Sequence, residues 1–186
     1  RKFIIADTPG QEQYTSNMAT GASTADIAII LIDARQGILT QTKRHSYIAS
    51  LLGIKNLIVA INKMDLVDFS EEVFENIKRD YNDIIEYLPH HNDLNIQFIP
   101  ISALDGDNIL TISPKCSWYK GLTLMQLLDQ TEIHKQESSS FRLPVQYVVR
   151  PHLNFRGFSG TISSGSISVG DEITVLPSRK TSKVKS

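Results

Sequence analysis

The chain has 186 residues, of which 19 are Lys or Arg and 20 are Asp or Glu. Because these charges nearly cancel, composition gives no basic field of the kind that binds nucleic acid or anionic membranes. The longest apolar stretch, Ile27–Ile32, has strand length and is far shorter than the roughly 20 residues of a membrane helix. The single cysteine, Cys116, excludes an intramolecular disulfide. We therefore expect a cytoplasmic protein that binds neither nucleic acid nor membrane.

Apolar runs alternate with helix-forming segments over the first two thirds of the chain, which predicts an α/β fold with a parallel sheet and helices on both faces. The predicted strands are Lys2–Asp7, Ile27–Asp33, Leu57–Asn62 and Ile96–Ile101. The predicted helices are Gln41–Leu52, a helix that begins at Ser70 and is ended by Pro89, and Thr123–Ile133.

The composition changes after residue 136. Residues 137–140 are polar and Ser-rich, and strand-like runs separated by Gly-rich turns follow at Pro144–Val149, Gly157–Ser163 and Glu172–Leu176. The sequence therefore predicts a first domain at 1–136, a linker at 137–140 and an all-β domain at 141–186.

Asp7, Thr8, Pro9 and Gly10 close the first predicted strand. In an open parallel sheet, ligands bind beside the carboxyl ends of the strands. The Asp7 carboxylate suits the water shell of a Mg²⁺ ion, and Gly10 lets a backbone N–H approach a terminal phosphate closely. Alone, the segment also fits an ordinary turn.

Asn62, Lys63, Met64 and Asp65 close the third predicted strand. An ionised carboxylate only accepts hydrogen bonds, so Asp65 matches the N1–H and N2 amino donors of guanine, a pair that adenine lacks. The Asn62 amide suits the base edge and neighbouring loops, and the Lys63 stem suits the face of the base. A surface turn is the alternative interpretation.

Ser102 and Ala103 close the fourth predicted strand, where a backbone N–H can donate to the guanine carbonyl oxygen. This pair indicates little by itself. The conjunction is informative, because three compatible segments occur in this order at the carboxyl ends of predicted strands. Together they predict a site for a guanine nucleotide.

At these residues the chain resembles the GTPase superfamily, and within it the translation-factor-like class, in which a parallel-sheet G domain precedes β-barrel domains. Asp7–Gly37, DTPGQEQYTSNMATGASTADIAIILIDARQG, is similar to the family of GTPase subunits of bacterial sulfate adenylyltransferase. So are Trp118–Leu122, WYKGL, and Phe155–Gly160, FRGFSG. The resemblance implies a P-loop GTPase-type sheet followed by the start of a translation-factor-type β-barrel.

That family couples GTP hydrolysis to formation of adenosine 5′-phosphosulfate and pyrophosphate from ATP and sulfate. The resemblance implies GTP and Mg²⁺ as cofactors and a heterodimer with a small catalytic subunit, and it allows fusion to an adenylylsulfate kinase. It also implies that Asp7 is the outer-shell Mg²⁺ acid, Gly10 the γ-phosphate sensor and Gln11–Thr20 a mobile switch helix. A translation elongation factor and a non-catalytic, truncated remnant are the alternatives.

The sequence departs from the class at two places. Gln11 follows the sensor glycine where the class usually has His, and its amide can orient the attacking water, so Gln11 is the candidate catalytic residue. The phosphate-binding motif GxxxxGK[ST] does not occur in this sequence. In the family, the strand leading into that loop lies between those corresponding to Lys2–Asp7 and Ile27–Asp33. We therefore expect the isolated chain to be marginally stable and unable to hydrolyse GTP unaided.

His90 and His91 lie beside Asp93 in a polar segment and lack a spaced set of further ligands. A solvated loop is the expectation there, rather than a metal site.

Overall fold

The computed structural model describes residues 1–8, 15–133 and 140–185. The chain divides into two compact units, Arg1–Ile133 and His134–Ser186. The linker predicted at 137–140 lies outside the described residues except for Ser140. The domain boundaries inferred from composition stay predictions.

The first unit is built on a three-stranded parallel sheet. Its strands, in spatial as well as chain order, are β1 (Ile27–Asp33), β2 (Asn56–Asn62) and β3 (Asn95–Pro100). The register aligns the carboxyl ends of all three strands, since Asp33 lies opposite Asn62 and Ile61 lies opposite Pro100. The predicted α/β fold with a parallel sheet is confirmed.

Four helices accompany this sheet: α1 (Thr15–Ala22), α2 (Thr40–Leu51), α3 (Glu71–Ile85) and α4 (Leu124–Gln130). Helices cover both faces of the sheet. Alternate residues of β2 point to opposite faces, and each set packs against a different helix. Val59 and Ile61 join a core cluster with the α3 side chains, whereas Ile58 and Ala60 join one with Leu127 of α4. All four of these β2 side chains are buried.

Helix α3 follows directly from its sequence. The Ser70 hydroxyl accepts a hydrogen bond from the Val73 N–H at 3.3 Å, which caps the amino end, and acidic residues occupy the first turn where the helix dipole favours them. Phe74, Ile77 and Tyr81 form its buried face. Full burial of such side chains stabilises the fold by about 1.5–3 kcal/mol each. The helix predicted from Ser70 is confirmed, although it ends at Ile85 and not at Pro89.

Helix α4 is shorter than predicted. It begins at the Thr123 cap, whose hydroxyl accepts from the Gln126 N–H at 3.2 Å, and it ends at Gln130 rather than Ile133. Its last carbonyls bond instead to a distant side chain, the Arg1 guanidinium. This group donates to the carbonyl oxygens of Leu128, Asp129 and Thr131 at 3.0, 3.2 and 2.8 Å.

The strand predicted at Lys2–Asp7 is wrong, because residues 1–8 contain no regular secondary structure. Ile4 and Ile5 are 92% and 86% exposed. A strand is stabilised by hydrogen bonds to a neighbour, and no strand among the described residues lies beside this segment. The apolar residues that suggested a strand are a local feature of the sequence, whereas strand formation also requires a neighbouring strand elsewhere in the chain.

The second unit contains only antiparallel pairs among its described residues. Strand β4 (Tyr147–Val149) pairs with β5 (Gly157–Ser159), and β6 (Glu172–Val175) pairs with β7 (Lys180–Lys183). The predicted all-β character is confirmed, although the strands are shorter than predicted and β7 was not anticipated. Within the described ranges, no helix is both long and apolar enough to cross a membrane.

Candidate nucleotide-binding site

The turn that follows β2 presents two charged side chains around one buried anchor. Lys63 adopts the left-handed conformation with φ of 63°, and a short 3₁₀ turn follows at Met64–Val67. The Met64 side chain is fully buried, and its N–H donates to the Ile101 carbonyl at 3.1 Å. The buried Met64 side chain anchors the turn to the core. Lys63 on one side of it is exposed, and Asp65 on the other side is half-buried, at the carboxyl end of the sheet.

The Asn62 side chain joins two of the predicted segments. Its Oδ1 accepts hydrogen bonds from the Lys63 N–H at 2.8 Å and from the Ala103 N–H at 3.0 Å. The structure therefore brings Asn62–Asp65 and Ser102–Ala103 together, as expected for segments that follow neighbouring parallel strands. The amide holds the two loops in one arrangement.

Both backbone donors predicted for the guanine carbonyl have partners within the protein. The Ser102 N–H donates to the Asp107 carbonyl at 3.3 Å, and the Ala103 N–H donates to Asn62. A guanine oxygen that uses Ala103 must therefore replace the Asn62 amide oxygen as its acceptor. Sequence reasoning did not foresee this competition, because it depends on a contact across the sheet.

An ion cluster of Asp33, Arg35 and Lys63 lies beside the turn. Asp33 Oδ1 accepts from the Arg35 N–H and from Arg35 Nε, both at 3.0 Å. Asp33 Oδ2 accepts from the second Arg35 guanidinium nitrogen at 2.7 Å and from Lys63 Nζ at 2.8 Å. The Arg35 guanidinium, helped by Lys63 and opposed by burial, holds the pKa of the Asp33 carboxyl well below its usual range.

Asp33 and Arg35 are neighbours of the site that sequence reasoning missed. The available signal was the position of Asp33, which closes a predicted strand adjacent to the one closed by Asn62. Carboxyl ends of adjacent parallel strands lie at the same edge of a sheet, so a carboxylate there is a candidate partner for Lys63.

Asp65 differs from Asp33 and Asp107 in that its carboxylate has no partner among the described residues. Among the described residues, no hydrogen bond or ion pair reaches its carboxylate. Arg35 is close enough to interact electrostatically, since the Arg35 pKa is raised mainly by Asp33 and to a smaller extent by the charge of Asp65. The Asp65 oxygens are thus available as hydrogen-bond acceptors.

The loop after β3 is held rigidly beneath the Ser102–Ala103 segment. Asn108, fully buried with φ of 59°, donates from Nδ2 to the Pro100 carbonyl and accepts at Oδ1 from the Ser113 N–H, both at 2.8 Å. Asp107 accepts from the Ser113 hydroxyl at 2.7 Å and from Lys115 Nζ at 3.0 Å. Burial alone would raise the pKa of Asp107, but these two partners outweigh it and lower that pKa.

The segment predicted to face the phosphates is described only in part. Asp7 is exposed and Thr8 half-buried, and the Thr8 methyl lies 3.2 Å from where a Cβ on Gly21 of α1 would sit. Pro9, Gly10 and Gln11 lie outside the described residues, as does the start of the predicted switch helix. The described residues bring together no three potential metal ligands, including around His90 and His91. The role of Asp7 toward Mg²⁺ stays a prediction.

Comparison with known proteins identifies the family. The family model of the elongation factor Tu GTP binding domain matches residues 1–134. The chain belongs to this family. It is also 63% identical over 186 residues to sulfate adenylyltransferase subunit 1 of Saccharophagus degradans. That alignment covers 100% of this chain but only 39% of the length of that protein.

Two solved structures share the fold. The chain is similar to Sup35 complexed with GMPPNP, with 29% identity and a TM-score of 0.55 over 89% of this chain and 43% of that one. It is also similar to translation elongation factor SelB from Methanococcus maripaludis in complex with the GTP analogue GPPNHP. That comparison gives 28% identity and a TM-score of 0.53 over 95% of this chain and 36% of that one.

Family membership supports GTP binding, and the hydrogen-bond acceptors of the Asp65 carboxylate fit a guanine base. Asp65 offers two unpaired acceptor oxygens, which suit the adjacent N1–H and N2 donors of guanine. Adenine would leave that carboxylate unpaired, and sites that strand a buried polar group discriminate by roughly 10⁴-fold or more. The exposed Lys63 stem provides apolar surface beside them.

Proposed function

We propose that the chain forms the nucleotide-reading part of the GTPase subunit of sulfate adenylyltransferase, and that the whole protein couples GTP hydrolysis to synthesis of adenosine 5′-phosphosulfate from ATP and sulfate. One observation carries the proposal: 63% identity, over all 186 residues, to a protein named sulfate adenylyltransferase subunit 1. Identity to Sup35 is 29% and to translation elongation factor SelB only 28%.

In this proposal the described turn reads the base. Asp65 accepts from N1–H and N2 of guanine, the Lys63 stem lies along its face, and Asn62 orders the loop of Ser102 and Ala103. Two features support this assignment, namely the unpaired carboxylate of Asp65 and the two hydrogen bonds accepted by Asn62. Met64 keeps the turn in place through its buried side chain.

The remaining predicted residues act on the phosphates. Asp7 would hold Mg²⁺ through water, Gly10 would sense the γ-phosphate, and Thr8 and Pro9 would complete this part of the GTP site. Gln11 orients the attacking water through its amide. Bound GTP supplies the phosphoanhydride bond whose hydrolysis drives the coupled synthesis.

The partner in this proposal is a small catalytic subunit that performs the reaction of ATP with sulfate. Heterodimer formation in the cytoplasm, with neither nucleic acid nor membrane as partner, follows from the same family assignment. Fusion to an adenylylsulfate kinase is a further arrangement that the family resemblance suggests.

The test is a coupled assay with the full-length protein and the partner subunit. Adenosine 5′-phosphosulfate formation from ATP and sulfate is measured with GTP, with GDP and with no guanine nucleotide. The proposal expects GTP, but not GDP, to raise product formation, and expects an Asp65→Ala variant to lose that stimulation at limiting GTP. GTP-dependent binding of tRNA or ribosomes without any effect on sulfate adenylylation would instead establish a translation factor. Failure of the full-length protein to hydrolyse GTP would favour the non-catalytic alternative.

A further inference from the structure

The ends of β1 and β2 are tied together at the candidate base site. Asp33 is the register partner of Asn62, and the Ala34 N–H donates to the Asn62 carbonyl at 2.9 Å. Lys63 is therefore the first residue beyond a paired strand end. Its left-handed backbone turns the chain there, and its Nζ reaches back to the Asp33 carboxylate at 2.8 Å.

Asp33 uses both of its carboxylate oxygens to hold two cations. Arg35 makes a two-pronged contact, with its guanidinium at 3.0 Å from Oδ1 and 2.7 Å from Oδ2, and Lys63 completes the cluster at Oδ2. The Asp33 side chain is only 15% exposed, whereas those of both cations are 47% exposed. The carboxylate is thus the enclosed centre of the cluster, and two half-exposed cationic side chains are held around it.

Asp65 lies within the field of Arg35 and shares a turn with Lys63, but it is paired with neither cation. It is two residues from Lys63, and it contributes to the raised pKa of Arg35. An ion pair from either cation would occupy acceptor oxygens that the guanine N1–H and N2 donors need. Both cations are instead bound to Asp33.

We propose that Asp33 is a positioning residue that sets base specificity, because it holds Lys63 and Arg35 in ion pairs and so leaves the Asp65 carboxylate free for guanine. The inference rests on the proposed function, since it takes a guanine nucleotide as the ligand. Asp33 itself touches no part of the base. Loss of its charge releases two cations beside Asp65, which then compete with the ligand.

The test compares two nucleotides that differ at one group. Inosine diphosphate lacks the N2 amino group of GDP, so it makes one hydrogen bond fewer to Asp65. In the full-length protein, Asp33→Asn is expected to weaken GDP binding about tenfold and to weaken inosine diphosphate binding less, so the affinity ratio falls. Asp83→Asn, which removes an exposed carboxylate on α3, is the matched control and is expected to leave both dissociation constants unchanged.

A second variant removes the competing cations. Combining Asp33→Asn with Arg35→Gln and Lys63→Met is expected to restore most of the GDP preference, even though absolute affinity falls for both nucleotides. This triple variant leaves no unpaired cation in the cluster, so it also serves if the single variant does not fold.

Three results overturn the inference. The first is an equal loss of affinity for both nucleotides in Asp33→Asn, which would indicate a structural role alone. The second is unchanged binding of both nucleotides in that variant. The third is a GDP to inosine diphosphate affinity ratio that does not recover in the triple variant. A wild-type protein that binds GDP no more tightly than inosine diphosphate would overturn the guanine-reading role of Asp65 as well. A wild-type preference for GDP that survives Asp33→Asn overturns only the role of Asp33.

Discussion

The Asn62 side chain and the Ala103 backbone share a 3.0 Å hydrogen bond that links the loop after β2 to the loop after β3. The same oxygen also accepts from the Lys63 N–H at 2.8 Å. One amide thus fixes the relative position of the carboxylate proposed to read the base and the backbone donor proposed to contact its carbonyl.

Replacement of Asn62 by Ala removes the acceptor of two backbone N–H groups. Each lost bond costs on the order of 1 kcal/mol, since both groups lie in exposed residues where water substitutes in part. We expect a lower melting temperature in the full-length protein, because the loss of about 1 kcal/mol for each of the two bonds shifts the unfolding equilibrium toward the unfolded state. Asn92→Ala, in the exposed 3₁₀ turn His91–Asp93, is the control. Equal melting temperatures for the two variants would contradict the assignment.

The Asp33 ion cluster makes stability depend on acid pH. Its partners lower the pKa of Asp33 below the ordinary value, so the stabilisation is present above about pH 4 and is lost as the pH falls through the lowered pKa. Wild type should melt above Asp33→Asn by the same margin at pH 7 and pH 5, and by a smaller margin at pH 3. A margin that widens on acidification would show that the ion pairs do not stabilise the fold.

The buried hydroxyl of Tyr81 makes stability depend on alkaline pH as well. Tyr81 shares a 2.7 Å hydrogen bond with the Ser46 hydroxyl, and burial raises the pKa of Tyr81 to about 12. An unfolded tyrosine ionises near pH 10, so this contribution is intact below about pH 10 and declines as the pH rises toward 12. Tyr81→Phe should cost about 1 kcal/mol at pH 8, with a difference that shrinks by pH 11.

The matched control for this measurement is Tyr87→Phe, because Tyr87 is 80% exposed. That variant should follow the wild-type melting curve at both pH values. If Tyr81→Phe behaves in the same way as Tyr87→Phe, the buried hydrogen bond makes no net contribution.

Gln11 is predicted to orient the water that attacks the γ-phosphate. Gln11→Ala in the full-length protein should lower the GTP hydrolysis rate by about 10²-fold, the low end of what positioned groups contribute to proton transfer. GDP affinity should stay within about twofold, since the residue is not assigned to the base or the diphosphate. Unchanged GTP turnover would show that another group orients the water.

The parts of the fold predicted from sequence are those governed by local rules. The Ser70 cap and the spacing of Ile77 and Tyr81 define α3, and the apolar runs define β1 to β3. The strand predicted at Lys2–Asp7 failed because pairing depends on a neighbour rather than on composition. Helix α4 ends at Gln130, and two of its last carbonyls accept hydrogen bonds from Arg1, a residue at least 127 positions away in the sequence.

The candidate site shows the same division. Its chemistry was predicted from residue types at strand ends, and the structure places the Asn62–Asp65 and Ser102–Ala103 segments side by side. The ion cluster and the use of the Ala103 N–H by Asn62 were not predicted. Both depend on contacts between residues that follow different, neighbouring strands. The pattern of residues along one segment does not predict such contacts.

The most direct test of the account is equilibrium binding of GDP and ADP to the full-length protein and its Asp65→Ala variant. Wild type is expected to prefer GDP by roughly 10⁴-fold, and Asp65→Ala is expected to lose most of this preference while its melting temperature is retained. Comparable affinities of wild type for GDP and ADP, or a preference that survives Asp65→Ala, would contradict the claim that this turn reads guanine.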